Sequence, residues 1–321
     1  MVDVIEFKEA VAASNGKDRA LLIGNGFSAD YFSYRSLLAA SGIEEGSALR
    51  NVFAALDTVD FEKVVRALED ASVIEGAYGH EARASELVEH AQEVREALVK
   101  AVNETHPAHR KDLGDKYAPS SKFIELFSTV FSLNYDLLLY WVNLEKQSLG
   151  DGFGLGRQNG NFLGPFSPAA HCALYNLHGG LHLFAGKEGE LFKALDSGDG
   201  VIATITQAIG VKKRMPTYVA EGRSSQKMAK INSVPYLRHA YEKLRENAAP
   251  LFVYGHSADE NDSHIYRAVF ESEAKHIYFG VFKPDAEKLK ALDGQMAKYQ
   301  RIYGDNTEYT FFDSETAAVW G

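Results

Sequence analysis

The chain has 321 residues, with 34 Lys and Arg against 44 Asp and Glu, a formal charge of −10, and 45% hydrophobic and 12% aromatic content. That is a globular composition, large enough for one big core or two smaller ones, and its acidic balance, with no basic run longer than Lys212-Lys213-Arg214, argues against a nucleic-acid face. The single cysteine, Cys172, excludes an internal disulfide and a cysteine-rich zinc ribbon; the lack of a signal-like opening and of any apolar stretch of about 18 residues predicts a cytoplasmic protein without a membrane segment.

In chain order, Val4 to Val11 has the apolar spacing of a helix that stops near Asn15-Gly16. Ala20-Leu21-Leu22-Ile23 is a short continuous apolar run, as expected of a strand covered on both faces of a parallel sheet, and it runs into Gly24-Asn25-Gly26-Phe27-Ser28-Ala29. Residues 36–120 are helical in period, with caps supplied at Asp57-Thr58-Val59-Asp60, and read as an insertion before the second strand at Thr129 to Leu133. That strand breaks at Asn134-Tyr135-Asp136 before a helical Leu137 to Trp141. The glycine-rich passage Gly150 to Gly164 reads as a loop over a site. Ala173 to Leu177 is strand-like and ends in His178-Gly179-Gly180. Residues 186–246 read as a second, mostly helical insertion, with helices at Ser225 to Ile231 and Tyr236 to Asn247. Strands at Leu251 to Tyr254, His276 to Phe282 and Tyr309 to Phe312, with helices between them, finish the chain. Alternating strands and helices predict an α/β fold: one doubly wound, Rossmann-like, mostly parallel sheet in three layers, spanning residues 1–321 as a single domain.

In such sheets ligands sit beyond the carboxyl ends of the strands. Four predicted strands end in polar or glycine-rich sequence. Gly24-x-Gly26-x-x-Ala29 fits the dinucleotide fingerprint, with Ser28 adding a hydroxyl where a helix would begin, and the alternative is a plain tight turn. Asn134 and Asp136 lie on one side of an extended chain, or else cap the helix that follows. His178, at a strand end, suits general-base work, although a lone histidine there is more often structural. His178 and His182 are four apart, but Gly179-Gly180 opposes a helix and no Glu stands where a zinc motif needs it, so no metal is expected. Gly255-His256-Ser257-Ala258-Asp259 is either a nucleophile elbow with its last glycine replaced, which would make Ser257 the nucleophile of a hydrolase, or a ligand-facing loop in which Ser257 and Asp259 bond sugar hydroxyls.

Taken in this order, Gly-x-Gly-x-Ser, Asn-x-Asp, His-Gly and Gly-x-Ser at successive strand ends resemble the sirtuin-like NAD-binding family, in particular its bacterial branch of anti-phage NAD hydrolases. More narrowly, Asp57 to Glu62, Leu177 to Leu183, Val219-Ala220-Glu221-Gly222 with Gln226-Lys227, and Tyr254 to Asp262 look like a bacterial subfamily of that branch. The resemblance implies that the amides of Gly24, Asn25, Gly26 and Phe27 and the hydroxyl of Ser28 hold the NAD pyrophosphate. It implies that Asn134 positions the nicotinamide ribose or the attacking water with Asp136 nearby, that His178 is the base, and that Gly255, Ser257 and Asp259 serve the adenosine side. NAD is then a substrate, and no metal is implied. The family's deacylases carry a four-cysteine zinc module that a chain with only Cys172 cannot build. What remains is NAD glycosidic cleavage by water, in a homo-oligomer or with a triggering partner protein; the alternative is a sensor that binds NAD or ADP-ribose without cleaving it.

Overall fold

The computed structural model describes residues 3–14, 16, 18–31, 37–146, 149–196, 200–220 and 222–321; of the positions read above, Asn15, Ser36 and Glu221 lie outside them. The strands are β1 (Val4–Glu6), β2 (Ala20–Ile23), β3 (Thr129–Ser132), β4 (Arg157–Asn159), β5 (Phe162–Gly164), β6 (Leu174–Asn176), β7 (Gly179–Ala185), β8 (Leu191–Ala194), β9 (Pro216–Tyr218), β10 (Leu251–Tyr254), β11 (His276–Val281) and β12 (Glu308–Asp313). The helices are α1 (Phe7–Ala13), α2 (Leu37–Ala40), α3 (Ala48–Ala55), α4 (Phe61–Ala77), α5 (Glu81–Thr105), α6 (Tyr117–Ile124), α7 (Leu138–Lys146), α8 (Val201–Gly210), α9 (Ser224–Ser233), α10 (Pro235–Arg245), α11 (Ser263–Phe270) and α12 (Ala286–Tyr303).

Seven strands form a parallel sheet in the order β1-β12-β11-β10-β2-β3-β6. The continuous apolar runs follow from this burial: Leu21 and Ile23 of β2 join the core on one face, while Ala20 and Leu22 join the core on the other. The chain leaves β2 towards β3 and β6, then returns to β10 on the opposite side of β2 and continues to β11 and β12. The order therefore reverses between β2 and β10, which opens a crevice at their carboxyl ends.

Three details differ from the sequence reading. Val4 to Glu6 is an edge strand on β12, because Val4 and Ile5 lie opposite Phe311 and Phe312, and the helix begins only at Phe7, where Glu6 and Glu9 form a capping box. The glycine-rich passage carries the β4–β5 hairpin. The later segment adds β8, α8 and β9 to its two helices. These strands and β7 build a second, antiparallel sheet in the order β4-β5-β8-β7-β9, in which every strand but β7 has only three or four residues and leaves little periodic signal.

Between β2 and β3 the chain is helical. Asp60 caps α4 by accepting from the Glu62 and Lys63 amides, and α4 packs on α5 through Val64, Val65 and Leu68 against buried Val94, Leu98 and Val102. Among the described residues no helix is long and apolar enough to cross a membrane.

Candidate functional site

The glycine loop after β2 is shaped first by its neighbour. Gly24 N–H donates to Tyr254 O at 2.9 Å and Gly26 N–H to Gly255 O at 2.8 Å, so the loop docks backbone to backbone on the end of β10. A Cβ on Gly26 would lie 2.6 Å from Gly255 Cα, which is why side chains are excluded there. Phe27 N–H closes the turn on Gly24 O at 3.0 Å, and Phe27 O accepts Trp320 Nε1–H at 2.6 Å. Asn25–Phe27 is a single 3-10 turn with no long helix behind it among the described residues, so no helix N-terminus of the kind expected for a pyrophosphate follows it there, and the amides of Gly24, Gly26, Phe27 and Ser28 already donate within the protein. Ser28 is fully buried, and its Oγ accepts from Asn134 Nδ2 at 3.2 Å; it supports Asn134 and does not reach solvent.

Asn134 is 3% exposed, held by its backbone N–H on Ser132 Oγ at 3.1 Å, and its Oδ1 has no hydrogen-bond partner among the described residues. An acceptor buried in this way costs about 1–3 kcal/mol and is relieved by any donor that reaches it. Asp136 accepts the Leu138 N–H at 2.8 Å and so caps α7.

His178 stands where the chain steps from the first sheet to the second. Gly179 makes the step at φ +67°, and a Cβ there would lie 2.2 Å from Thr217 O. The carbonyl of His178 accepts Val219 N–H at 2.8 Å. Its ring is buried among groups the sequence reading did not single out. His178 Nε2 lies 3.2 Å from His264 Nε2 and 3.9 Å from Asp262 Oδ1, and Lys227 Nζ donates to the same Oδ1 at 2.7 Å. On the other side of Asp262, His256 Nε2 is 3.4 Å from Oδ2. Ala258 N–H donates to His256 Nδ1 at 3.0 Å, which places the His256 proton on Nε2, facing the carboxylate.

Burial pushes the proton affinity of His178 well below the ordinary histidine range, with the Asp262 charge working the other way, so the ring is neutral at neutral pH. Burial likewise takes His264 down to about 4. For Asp262 burial opposes ionisation, but the His256 hydrogen bond and the neighbouring Lys227 charge work against it, and the carboxyl is held well below the usual range. His178, Asp262 and His264 each offer one ligand atom, all within 4.8 Å of one another, a donor set suited to a divalent transition metal. Lys227 already pairs with Asp262, and the 3.2 Å between the two Nε2 atoms suits a hydrogen bond between the rings as well as two ligands of one ion.

These residues wall a chamber of about 210 Å³ lined by Asn25, Leu133, Tyr135, His178, Val219, Ala220, Lys227, Gly255, His256, Ser257 and Asp262. Gly255, His256 and Ser257 also line a cleft of about 770 Å³ beyond β10, β11 and β12, which includes Gly26, Asp30, Asp259, Phe282 and Trp320. Val219, Ala220 and Lys227 are shared with a third cleft of about 490 Å³ between α4 and α9. Of the predicted residues, Asn25, His178, Gly255 and Ser257 meet at the chamber and Gly26 and Asp259 at the larger cleft. Gly24, Phe27, Ser28, Asn134 and Asp136 are buried around them. Asp259 accepts Asn261 N–H at 2.8 Å and caps the turn that carries Asp262.

Ser257 makes no hydrogen bond to a histidine among the described residues. The two histidines that follow it are engaged elsewhere: His264 with His178, and His276, at the amino end of β11, with Thr310. The missed members, Asp262, His264 and Lys227, come from α9, α11 and the turn between β10 and α11. Asp262 and Lys227 lay within quoted motifs, and nothing in those motifs set them apart from solvated charges.

Residues 21–320 match the family described as "Domain of unknown function (DUF4917)", and the chain belongs to that family. No curated protein matches it in sequence. A solved structure described as "Structural Basis for the Mechanism and Regulation of Sir2 Enzymes" is similar at 13% identity and a TM-score of 0.36, over 92% of this chain and 98% of that one.

Proposed function

We propose that this member of the family binds NAD across the chamber and the adjoining cleft and hydrolyses the nicotinamide–ribose bond. One observation carries the reading. Asn25, His178, Gly255 and Ser257, from three strand ends, line one chamber where the sheet order reverses, and that chamber shares Gly255, His256 and Ser257 with a cleft of about 770 Å³, large enough for the rest of a dinucleotide. The likeness of the strand-end motifs to sirtuin-like NAD hydrolases supports the same choice, and extends it to a bacterial anti-phage effector held inactive until a partner or assembly triggers it.

The chemistry needs little beyond what the chamber contains. Water attacks the anomeric carbon, the carbon–nitrogen bond breaks, and its electron pair leaves with neutral nicotinamide. The proton of the water goes to His178, which burial keeps neutral though a weaker base than a free imidazole, and the Asp262 charge favours the protonated ring that results. Positive charge that develops on the ribose faces the Asp262 carboxylate, which lines the chamber, whereas Asp136 is committed to capping α7. Asn134 does not line the chamber; its buried Oδ1, without a partner among the described residues, serves this reading by accepting from a ribose hydroxyl or a water drawn in past the lining.

A second reading, a sensor that binds NAD or ADP-ribose without cleavage, is favoured by the α4–α9 cleft: it shares Val219, Ala220 and Lys227 with the chamber and so joins the site to the helical segment. Calorimetry with ADP-ribose, run beside an assay for released nicotinamide, separates the two. Binding with turnover that His178→Ala and Asn134→Ala abolish is expected. Wild-type-like turnover in both variants overturns the assigned roles, and binding with no nicotinamide release leaves the sensor.

A further inference from the structure

His178 has a partner on another helix. His264, in the first turn of α11, is buried, and its ring lies near-parallel to that of His178, with centroids 5.4 Å apart at 19°. With the two Nε2 atoms at 3.2 Å, one ring must donate and the other accept, so the tautomer of each is tied to that of the other. His264 is itself anchored at three points. Its Nδ1 meets Ser224 Oγ at 3.1 Å, its backbone N–H donates to the same Oγ at 3.0 Å, and its carbonyl accepts Tyr241 Oη–H at 2.9 Å.

We propose that His264 is the positioning residue of the chamber: through the Nε2–Nε2 hydrogen bond it fixes the ring orientation and tautomer of His178, and Ser224 locks His264 in turn. This rests on the reading of His178 as the base in NAD cleavage. A general base acts only when its lone pair points at the proton it takes, and among the described residues no other neutral group is bonded to the His178 ring in this way. Asp262, the nearest carboxylate, is 3.9 Å from Nε2 and already holds Lys227 and His256, so it sets charge and leaves direction to His264. The charged and titratable groups facing His178 are Asp262 from the turn before α11, His264 from α11, Lys227 from α9 and His256 from the loop after β10. The first favours the protonated ring and the other three oppose it.

The test uses the full chain with His264→Ala and His264→Gln, the amide of glutamine offering a donor and an acceptor near the place of Nε2. In the free protein, imidazole ¹⁵N shifts of His178 report its tautomer and titration; they are expected to change in His264→Ala and to return part of the way in His264→Gln. In turnover, His264→Ala is expected to lower kcat by about 10- to 100-fold, a fraction of the roughly 100- to 10,000-fold that a positioned base contributes, with KM for NAD unchanged. Because His264 is among the groups holding the proton affinity of His178 down, the acid limb of the kcat profile should move to higher pH. Unchanged His178 shifts in a folded His264→Ala protein, or equal losses in both variants with the acid limb in place, overturn the proposal and leave only packing. A wild-type protein that releases no nicotinamide overturns the base reading, while the pairing of the two rings stands or falls on the shifts alone.

Discussion

Burying a neutral histidine makes stability depend on pH, and His106 isolates the effect away from the chamber. It follows α5 directly, with Nδ1–H donating to Val102 O at 3.0 Å and Nε2 accepting Leu137 N–H at 3.3 Å, while its ring meets Trp141 edge-on. A second proton on Nε2 would point at the Leu137 N–H and break that bond. Burial lowers the pKa from 6.5 to about 4, against the pull of the Val102 carbonyl. The folded state thus binds fewer protons than the unfolded one between these values, so stability is full above pH 6.5 and is lost as the pH falls towards 4. At about 1.4 kcal/mol per pH unit the whole interval is worth about 3 kcal/mol, of which about 2 kcal/mol is gone by pH 5. His106→Gln keeps a donor and an acceptor but cannot titrate. In urea unfolding at pH 7.5 and pH 5, the variant should lose about 2 kcal/mol less than wild type between the two conditions. Parallel losses in the two proteins would refute the reasoning, because the remaining histidines are common to both.

Two further outcomes follow from packing and charge. Gly179→Ala places a side chain at φ +67° and 2.2 Å from Thr217 O, and is expected to lower unfolding stability by about 1–3 kcal/mol or more; a denaturation midpoint equal to wild type would contradict this. Asp262→Asn leaves Lys227 without its carboxylate partner and should cost about 2–3 kcal/mol, with Lys227→Met added to it recovering part of the loss in a double-mutant cycle.

Legibility in the sequence tracked the length and periodicity of each signal. Ala20 to Ile23, Thr129 to Leu133 and Leu251 to Tyr254 read as buried strands because covering both faces of a parallel sheet favours apolar residues at successive positions, with Thr129 and Ser132 the polar members of the second run. The α4–α5 pair read as helices because Phe61, Val64, Val65 and Leu68 recur at helical spacing. The second sheet did not show: β4, Arg157–Asn159, is exposed and polar, and β5 and β9 have three residues each. The same holds within the site. His178 and Asn134 were visible because a strand must end somewhere and polar residues mark the place. Asp262, His264 and Lys227 reach the chamber from elements far apart in the chain, and no local pattern distinguishes a lysine that pairs with a buried carboxylate from one that faces water. The glycine fingerprint was legible as a tight turn, but not the close packing of Gly26 on Gly255, which depends on a strand far along the chain.

The central claim is that the chamber around His178 cleaves NAD, and proton NMR of NAD incubated with the full chain tests it most directly. Free nicotinamide and ADP-ribose should appear in equal amounts with wild type and not with a His178→Gln protein of matched stability. Intact NAD with wild type under every activating condition, or equal cleavage by the variant, would contradict it.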